Sequence, residues 1–382
     1  MKGLKDFSRE LCLINKLVLK IRKNTPISIG SWRKPANLLI KRDCYKGRNV
    51  SVIDLTLTPT GCEWAKTGGC TMCGEWSGSR LGKKVDAKYH ISQFATGVAN
   101  IIPKTGSPWL RIYQEGSFMN NAEFDNLAQA TILRLASLIK GIERVTIEGR
   151  AQYIKDKKIK ELKEAIIPPV ELEVGIGFEA QDELIRMVCV NKGLVKKHLY
   201  NAVNSLRKYG VRSLAYVLLK PPFVSEKEAI DEAVATIKEA FRLGFDSVSL
   251  EPLSVHPWSL VEALYLKGLY KPPWLWSIVE VINQTDGLGE IRIGGCEYYP
   301  PPEVVSRNYH KNSNSCSKRV LESLKEYNIS QDINVFNSFT CKCRADWENG
   351  LESKQDSLKT RINRYLGNLS IDKYIRYKLD GN

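Results

Sequence analysis

A parallel α/β architecture, either an open sheet or a barrel, is the fold class that this 382-residue chain predicts. Three observations carry the expectation. Strand-like and helix-like segments alternate from residue 49 to residue 250, as right-handed βαβ crossovers require. Polar groups recur where six of those strands end, and parallel barrels carry their sites at that end. Directly behind the first strand, Asp54–Arg80 reads D-L-T-L-T-P-T-G-C-E-W-A-K-T-G-G-C-T-M-C-G-E-W-S-G-S-R, which spaces Cys62, Cys70 and Cys73 as C-x7-C-x2-C.

Taken in order, Leu11–Lys23 places Ile14, Leu17, Val18 and Ile21 on one helical stripe, and Asn24-Thr25-Pro26 ends it. A basic connector with Trp32 and Tyr45 leads to the first strand, Asn49–Thr58. After the cysteine loop come a strand over Trp109–Glu115 and a helix over Glu123–Ile139, closed by Gly141. Glu143–Glu148 is a strand, Asp156–Ala165 a short helix, Glu171–Phe178 a strand and Lys196–Tyr209 a helix capped by Gly210. Val211–Leu219 is a strand. Glu226–Phe241 is a strong helix with Ala229, Ile230, Ala233, Val234, Ile237, Ala240 and Phe241 on one stripe, and Gly244 stops it before the strand Phe245–Leu250. Past Pro257 the rhythm loosens, with a seventh strand at Glu290–Ile293, a helix at Lys318–Tyr327, and a polar, basic tail from Lys354 with some helical periodicity. No internal repeat or low-complexity tract interrupts this order. The expected divisions are a basic N-terminal extension (1–48), a core barrel (49–256) and a C-terminal region (257–382).

Composition narrows the function classes. With 43% hydrophobic and 26% charged residues, the chain reads as a soluble globular protein in which one catalytic domain carries small additions. No apolar run approaches the ~20 residues of a membrane span. The start, M-K-G-L-K-D-F-S-R-E, carries acids and lacks a small-residue cleavage site, so a cytoplasmic protein without a membrane partner is expected. Ten cysteines in so long a chain do not make a disulfide scaffold; in a reducing compartment clustered cysteines bind metal or do chemistry. Cys12, Cys44 and Cys189 stand apart and read as ordinary thiols. Of the net charge of +15, residues 1–50 hold +10, from 13 Lys/Arg against Asp6, Glu10 and Asp43. That segment is either a solvated face or an electrostatic footprint for polyanionic RNA.

Three closely spaced thiols on a glycine-rich loop suggest a metal or iron–sulfur ligand set. A structural zinc site wants four ligands, and no fourth Cys or His lies near; His90 is the first along the chain. A degenerate zinc knuckle is the alternative. Three ligands leave one iron of a four-iron cluster open for something else to bind, and glycines at 61, 68, 69 and 74 let the backbone wrap a bulky group. A second cluster of ligand types, His310, Cys316, Cys341 and Cys343, suits a structural zinc that staples the C-terminal segment to the barrel; Cys296 is a substitute for His310.

The loop G-C-E-W-A-K-T-G-G-C-T-M-C-G resembles the cluster loop of the radical S-adenosylmethionine (radical SAM) superfamily, in its Elp3-like branch. The chain is most similar there to the family of archaeosine synthase radical SAM subunits, archaeal tRNA-modifying proteins. Glu115-Gly116-Ser117-Phe118-Met119-Asn120, Ile147-Glu148-Gly149-Arg150, Ile176-Gly177-Phe178-Glu179, Asn191-Lys192-Gly193 and the late C-x-C also match, so the resemblance covers roughly residues 30–350. The superfamily's common spacing is C-x3-C-x2-C, and the longer first gap belongs to this branch. No acetyltransferase-like continuation follows the barrel, which argues against Elp3 itself.

The resemblance implies a partial (βα)6 radical SAM barrel with a [4Fe–4S] cluster on Cys62, Cys70 and Cys73. It further implies S-adenosylmethionine chelated at the open iron, an external electron donor, and a 5′-deoxyadenosyl radical that takes hydrogen from substrate. Met72 would contact the cofactor's adenine. Gly116 and Ser117 would face the methionyl amino end, Glu148 and Glu179 would accept hydrogen bonds from an ammonium or ribose hydroxyls, and Arg150 would pair with the methionyl carboxylate. Each of these, taken alone, also reads as structural. By family the substrate is tRNA bearing a lysine-modified 7-deazaguanine in the D-loop, made by a partner lysine transferase. The reaction is radical cleavage of a carbon–nitrogen bond in the lysine moiety. Alternatives are another radical SAM tRNA modifier, Elp3-like or methylthio-transferring, and a non-catalytic zinc and RNA-binding module.

Overall fold

Eight strands follow one another across a single sheet in chain order. The computed structural model describes residues 2–26, 31–99, 106–295, 305–309, 314–337, 339 and 341–380. After one helical turn at Lys2–Lys5, the chain forms α1 (Ser8–Asn24), which buries the expected stripe of Ile14, Val18 and Ile21. β1 (Asn37–Tyr45) and β2 (Arg48–Thr56) then pair antiparallel from Asn37↔Thr56 to Tyr45↔Arg48. The expected basic connector is therefore largely a strand, and the boundary at residue 48 falls inside a hairpin. Its two turn residues, Lys46 (φ 51°) and Gly47 (φ 72°), are both left-handed, as a two-residue turn matched to strand twist requires.

The cysteine loop contains α2 (Glu63–Thr67) and leads to α3 (Ala87–Ala99), which had no counterpart among the expected elements. Its buried side carries His90 and Gln93, both fully buried, which bond the carbonyl and amide of Thr58; buried polar residues hide the apolar stripe. From there the rhythm is as expected through β3 (Trp109–Tyr113), α4 (Asn126–Ser137), β4 (Arg144–Gly149), α5 (Asp156–Ala165), β5 (Glu171–Glu179), α6 (Lys196–Lys208), β6 (Arg212–Leu219), α7 (Glu226–Leu243) and β7 (Ser247–Pro252); two helices without an expected counterpart, α8 (Leu260–Leu266) and α9 (Leu275–Thr285), then precede the expected β8 (Glu290–Ile293). Strands β2 to β8 pair in parallel throughout. α7 opens on a reciprocal capping box between Ser225 and Glu228 and closes on left-handed Gly244.

The two faces of the sheet differ in chemistry. One carries Ile53, Leu110, Ile147, Val174, Val217 and Leu250, all buried with the helices in one apolar core. Along the other, register places Asp54, Arg111, Thr146, Glu173 and Arg212 in a single row. The sheet curls so that this polar face is a lumen. Arg292 on β8 reaches Asp43 on β1 at 3.2 Å, and Arg111 reaches Asp43 and Asp54 at 2.8 and 2.9 Å. Trp109 lies among the guanidinium groups of Arg111, Arg144 and Arg292 at this end. The edge strands β1 and β8 are thus joined by side chains and by a shared helix, α10 (Asn314–Ser330), without pairing into a closed barrel. The partial (βα)6 barrel is present in β2–β7, flanked by β1 and β8.

The C-terminal part continues through α11 (Lys342–Leu351), α12 (Leu358–Gly367) and α13 (Ile371–Leu379). These helices return to the other end of the chain: Asn363 donates to Glu10 at 3.0 Å, and Lys20 pairs with Asp372 at 2.5 Å. Arg361 donates to the Phe223 carbonyl at 2.8 Å, tying α12 to the loop after β6. Among the described residues, no helix is long and apolar enough to cross a membrane.

Candidate iron–sulfur and metal sites

Behind β2 the chain turns at Gly61 (φ 111°), a conformation closed to other residues, and Cys62 enters extended as the residue before α2. Gly69 (φ 109°) turns it again, and the Cys73 amide returns to the Cys70 carbonyl at 3.4 Å. Four clamps fix this loop. Glu123 accepts from the Glu63 and Ser117 amides and the Asn120 amide group, at 3.0, 2.5 and 2.8 Å, so one carboxylate joins the cysteine loop to the end of β3. Asn191 donates to the Gly69 carbonyl and accepts, through its own carbonyl, from the Trp64 indole, both at 2.8 Å. Thr71 bonds the carbonyls of Cys189 and Val190, at the end of a single π-helical turn, Ile185–Cys189. Arg22 donates from Nη2 to the Cys73 carbonyl at 2.6 Å and to that of Cys70 at 3.3 Å.

All three thiols are pushed up by burial, and cations pull each back: Arg150 at Cys62, Lys192 and Arg150 at Cys70, and Arg22 at Cys73. Buried sulfurs ringed by cations suit an anionic group. Among the described residues, three metal-ligating atoms come within 4.8 Å of one another only at Cys316, Cys341 and Cys343, so the three loop thiols do not converge on one ion. Thiolates of a four-iron cluster bind separate irons, and the donor set of Cys62, Cys70 and Cys73 fits that group rather than a knuckle zinc.

The other expected site residues gather around the loop, several of them already engaged. Three non-glycine residues at strand ends are left-handed: Glu115 (φ 54°) after β3, Glu179 (φ 66°) closing β5 and Lys220 (φ 63°) after β6. Such strain marks positions that the surroundings hold for a purpose. Glu179 pairs with Lys192 at 2.5 Å, and Arg150 donates from Nη2 to the Lys192 carbonyl at 2.9 Å. The Arg150 amide donates to the buried Ser117 hydroxyl at 3.1 Å, which joins β3 to β4. A Cβ on Gly116 would run into the Glu123 carboxylate. Met72 packs half-buried against the apolar core beside Cys73. Lys220 is taken up by Glu226 at 2.5 Å.

Glu75, Glu115, Glu148 and Glu251 face one another here at the mouth of the lumen. Burial, then Glu75 and Glu148, hold the Glu115 carboxyl well above the usual range. Burial raises Glu148 to about 7, against the Tyr216 hydroxyl and Lys192. Arg22, Glu75 and Glu123 carry no local motif, and each has a partner far away in sequence: Cys70, Glu115 and Glu63.

In the second group the Cys316 and Cys343 sulfurs are 3.2 Å apart, those of Cys341 and Cys343 2.8 Å. The Trp276 indole donates to Cys343 at 3.3 Å and Asn308 to Cys316 at 3.4 Å. Burial and the neighbouring thiols push Cys343 up to about 12. Cys341 is held below its ordinary value, because hydrogen bonds from Cys343 and Cys316 outweigh its burial. These three residues can hold a metal ion. The expected fourth ligands, His310 and Cys296, lie outside the described residues.

No family model matches the chain. It is similar to the uncharacterized protein MJ0550 of Methanocaldococcus jannaschii, 30% identical over 88% of this chain and 89% of that one. It is also similar to archaeosine synthase subunit beta of Methanosarcina acetivorans, 27% identical over 91% and 99% of the two chains, and to that of Thermococcus kodakarensis, 26% identical over 80% and 93%. Among solved structures, the archaeal Elp3 of Methanocaldococcus infernus matches with a TM-score of 0.45 at 16% identity, over 62% of this chain and 58% of its own. Methylornithine synthase matches with a TM-score of 0.46 at 12% identity, over 88% and 91%.

Proposed function

Because the chain belongs to the family of MJ0550 and the archaeosine synthase beta subunits, we propose that it is the radical S-adenosylmethionine subunit of an archaeosine synthase. Its substrate is tRNA carrying the lysine adduct of 7-deazaguanine in the D-loop. A partner transferase installs the lysine, and this subunit cleaves a carbon–nitrogen bond of that moiety to leave the formamidine of archaeosine. The observation that carries the reading is the kinship with subunit beta along 91% of this chain and 99% of the relative.

Cys62, Cys70 and Cys73 hold the [4Fe–4S] cluster, and Cys316, Cys341 and Cys343 hold a structural Zn2+. When bound, the cluster and S-adenosylmethionine together supply hydrogen-atom abstraction, fed by an external one-electron donor. The chain's own groups bind and orient. Met72, adjacent to Cys73, offers a half-buried thioether to an adenine ring. Gly116 leaves room for the Glu123 carboxylate that braces the cysteine loop, while Ser117 and Arg150 brace the ends of β3 and β4 against each other. Arg150 and Lys192 offer positive charge for a carboxylate. Glu148, held near 7, ionises within the working range and accepts hydrogen bonds from an ammonium or hydroxyls. Glu179 keeps Lys192 in place. The base of the lumen, filled by Trp109 and its guanidinium neighbours, keeps water from entering behind the substrate.

Of the 13 N-terminal cations, Lys20, Lys41, Lys46 and Arg48 sit in ion pairs and Arg22 is buried, so tRNA would meet the exposed remainder, such as Arg33 and Lys34. The test is incubation of anaerobically purified protein with lysine-modified tRNA, S-adenosylmethionine and a reductant, followed by mass analysis of nucleosides. Archaeosine is the expected product. An unchanged base alongside 5′-deoxyadenosine formation would reject the substrate and spare the reaction class, whereas protein with zinc and no iron would reject both.

A further inference from the structure

Arg22 closes the last turn of α1, outside the sheet, yet it is 3% exposed and lies under the cysteine loop. Its Nη2 donates to the carbonyls of two of the three loop cysteines, Cys73 at 2.6 Å and Cys70 at 3.3 Å. The guanidinium Nε and Nη1 are buried without any hydrogen-bond partner among the described residues. No described carboxylate forms an ion pair with it either, in contrast to Arg111, Arg144 and Arg292 in the lumen.

A buried cation with idle donors costs several kcal/mol, and arginine cannot escape that cost by losing its proton. The compensating negative charge must therefore come from whatever the cysteine loop holds. A cluster ligated by thiolates is anionic, and one-electron reduction by the external donor adds one more negative charge without making or breaking a bond. A fixed positive charge beside it favours the reduced form, since net charge, hydrogen bonding and burial set the potentials of such centres. The helix carrying Arg22 is also held from behind, by Asn363 on Glu10 and Asp372 on Lys20. The guanidinium is thus fixed in place rather than mobile.

We propose that Arg22 is a positioning and charge-compensating residue for the iron–sulfur centre, one that ties the Cys70–Cys73 turn and raises the centre's reduction potential. The inference rests on the reading of Cys62, Cys70 and Cys73 as cluster ligands. It places a determinant of the centre in a helix that precedes the barrel, within a segment whose charge otherwise reads as an RNA footprint.

The test uses the full chain with its cluster reconstituted anaerobically, comparing wild type, Arg22→Lys and Arg22→Met. Midpoint potentials come from redox titration followed by electron paramagnetic resonance, and cluster retention from the rate of iron loss to a chelator. Arg22→Met, which keeps the apolar stem, is expected to shift the midpoint to more negative values and lose iron about 10–100-fold faster. Arg22→Lys keeps the charge without the fork, so its midpoint stays near the wild-type value while iron loss is still accelerated. Wild-type midpoint and retention in Arg22→Met would overturn the proposal. Should that variant not fold, wild-type retention in Arg22→Lys overturns the tying role, and a midpoint in Arg22→Lys far below wild type overturns the charge role. A wild-type protein that binds no iron overturns the ligand assignment beneath it and is told apart from these by the wild-type spectrum alone.

Discussion

Glu148 has a carboxyl that burial lifts from its ordinary 4.5 to about 7, at the mouth of the lumen near Lys192, Glu251 and Glu75. Its two protonation states have opposite effects. Folding favours the protonated form, so its contribution to stability is full below pH 4.5 and is lost as pH rises through 7. Binding of a cationic ligand needs the ionised form, which prevails above 7. Glu148→Gln is therefore expected to stabilise the apoprotein at pH 8, by up to about 3 kcal/mol, while weakening S-adenosylmethionine binding at that pH by ~10–100-fold. Thermal melts and equilibrium dialysis at pH 6 and pH 8 check both; a variant with wild-type binding at pH 8 removes Glu148 from the ligand site. His90 behaves in the opposite sense. Burial, stacked on Phe124, holds its imidazole neutral down to about 4 against the opposing pull of the Thr58 carbonyl, so its stabilisation is present above pH 6.5 and falls as the unfolded chain takes up the proton. Wild type should lose about 2 kcal/mol between pH 7 and pH 5 through this one group. His90→Gln should lose correspondingly less in urea titrations at the two pH values.

At the level of elements, the C-terminal cysteines join three separate pieces: Cys316 in the first turn of α10, Cys341 and Cys343 at the start of α11, and Trp276 of α9 donating to Cys343. An ion there would hold α10, which bridges both sheet edges, to the helical layer. Cys343→Ser is expected to abolish zinc binding, measured by elemental analysis, and to expose residues 314–351 to protease while the sheet stays intact. Unchanged zinc content and protease resistance would leave these thiols without a metal role. The same scale explains what the sequence disclosed. α4 to α7 were legible because each sets an apolar stripe between turn residues, and Ser225 and Gly244 punctuate α7 at both ends. β1 was not, because its polar residues Lys41 and Asp43 point into a charged lumen and imitate an exposed basic segment. α3 was hidden by His90 and Gln93 for a related reason: polar side chains that bond a strand's end from inside the core erase the amphipathic signal. The cysteines announced themselves by spacing. Their supports, Arg22 and Glu123, lie 48 and 60 residues from the groups they bond in the cysteine loop, and only the folded sheet brings them there.

Across the whole molecule, the polar lumen divides the work between its two ends. The mouth gathers carboxyls raised by burial and the cysteine loop; the base is closed by paired charges. Asp43 on β1 holds Arg111 of β3 and Arg292 of β8 at once, and this side-chain bridge takes the place of the backbone ladder that the unpaired edge strands lack. Asp43 and Arg292 are 6% and 4% exposed, so removing Asp43 leaves the buried Arg292 under-compensated, paired among the described residues with only the partly exposed Glu290. Asp43→Ala is expected to cost about 3–5 kcal/mol in urea unfolding. Arg111 keeps Asp54 at 2.9 Å, whereas Arg292 keeps the more exposed Glu290, so the loss falls chiefly on Arg292. Adding Arg292→Met removes the under-compensated buried cation and should recover part of that cost, so the double variant is more stable than Asp43→Ala alone. Because the bridge lies at the far end of the lumen from Cys62, Cys70 and Cys73, iron content of the folded fraction should match wild type in Asp43→Ala, in Arg292→Met and in the double variant. Strictly additive losses in the double-mutant cycle would mean that the edges are held by α10 instead, and iron lost in step with stability would mean that base and mouth are not independent.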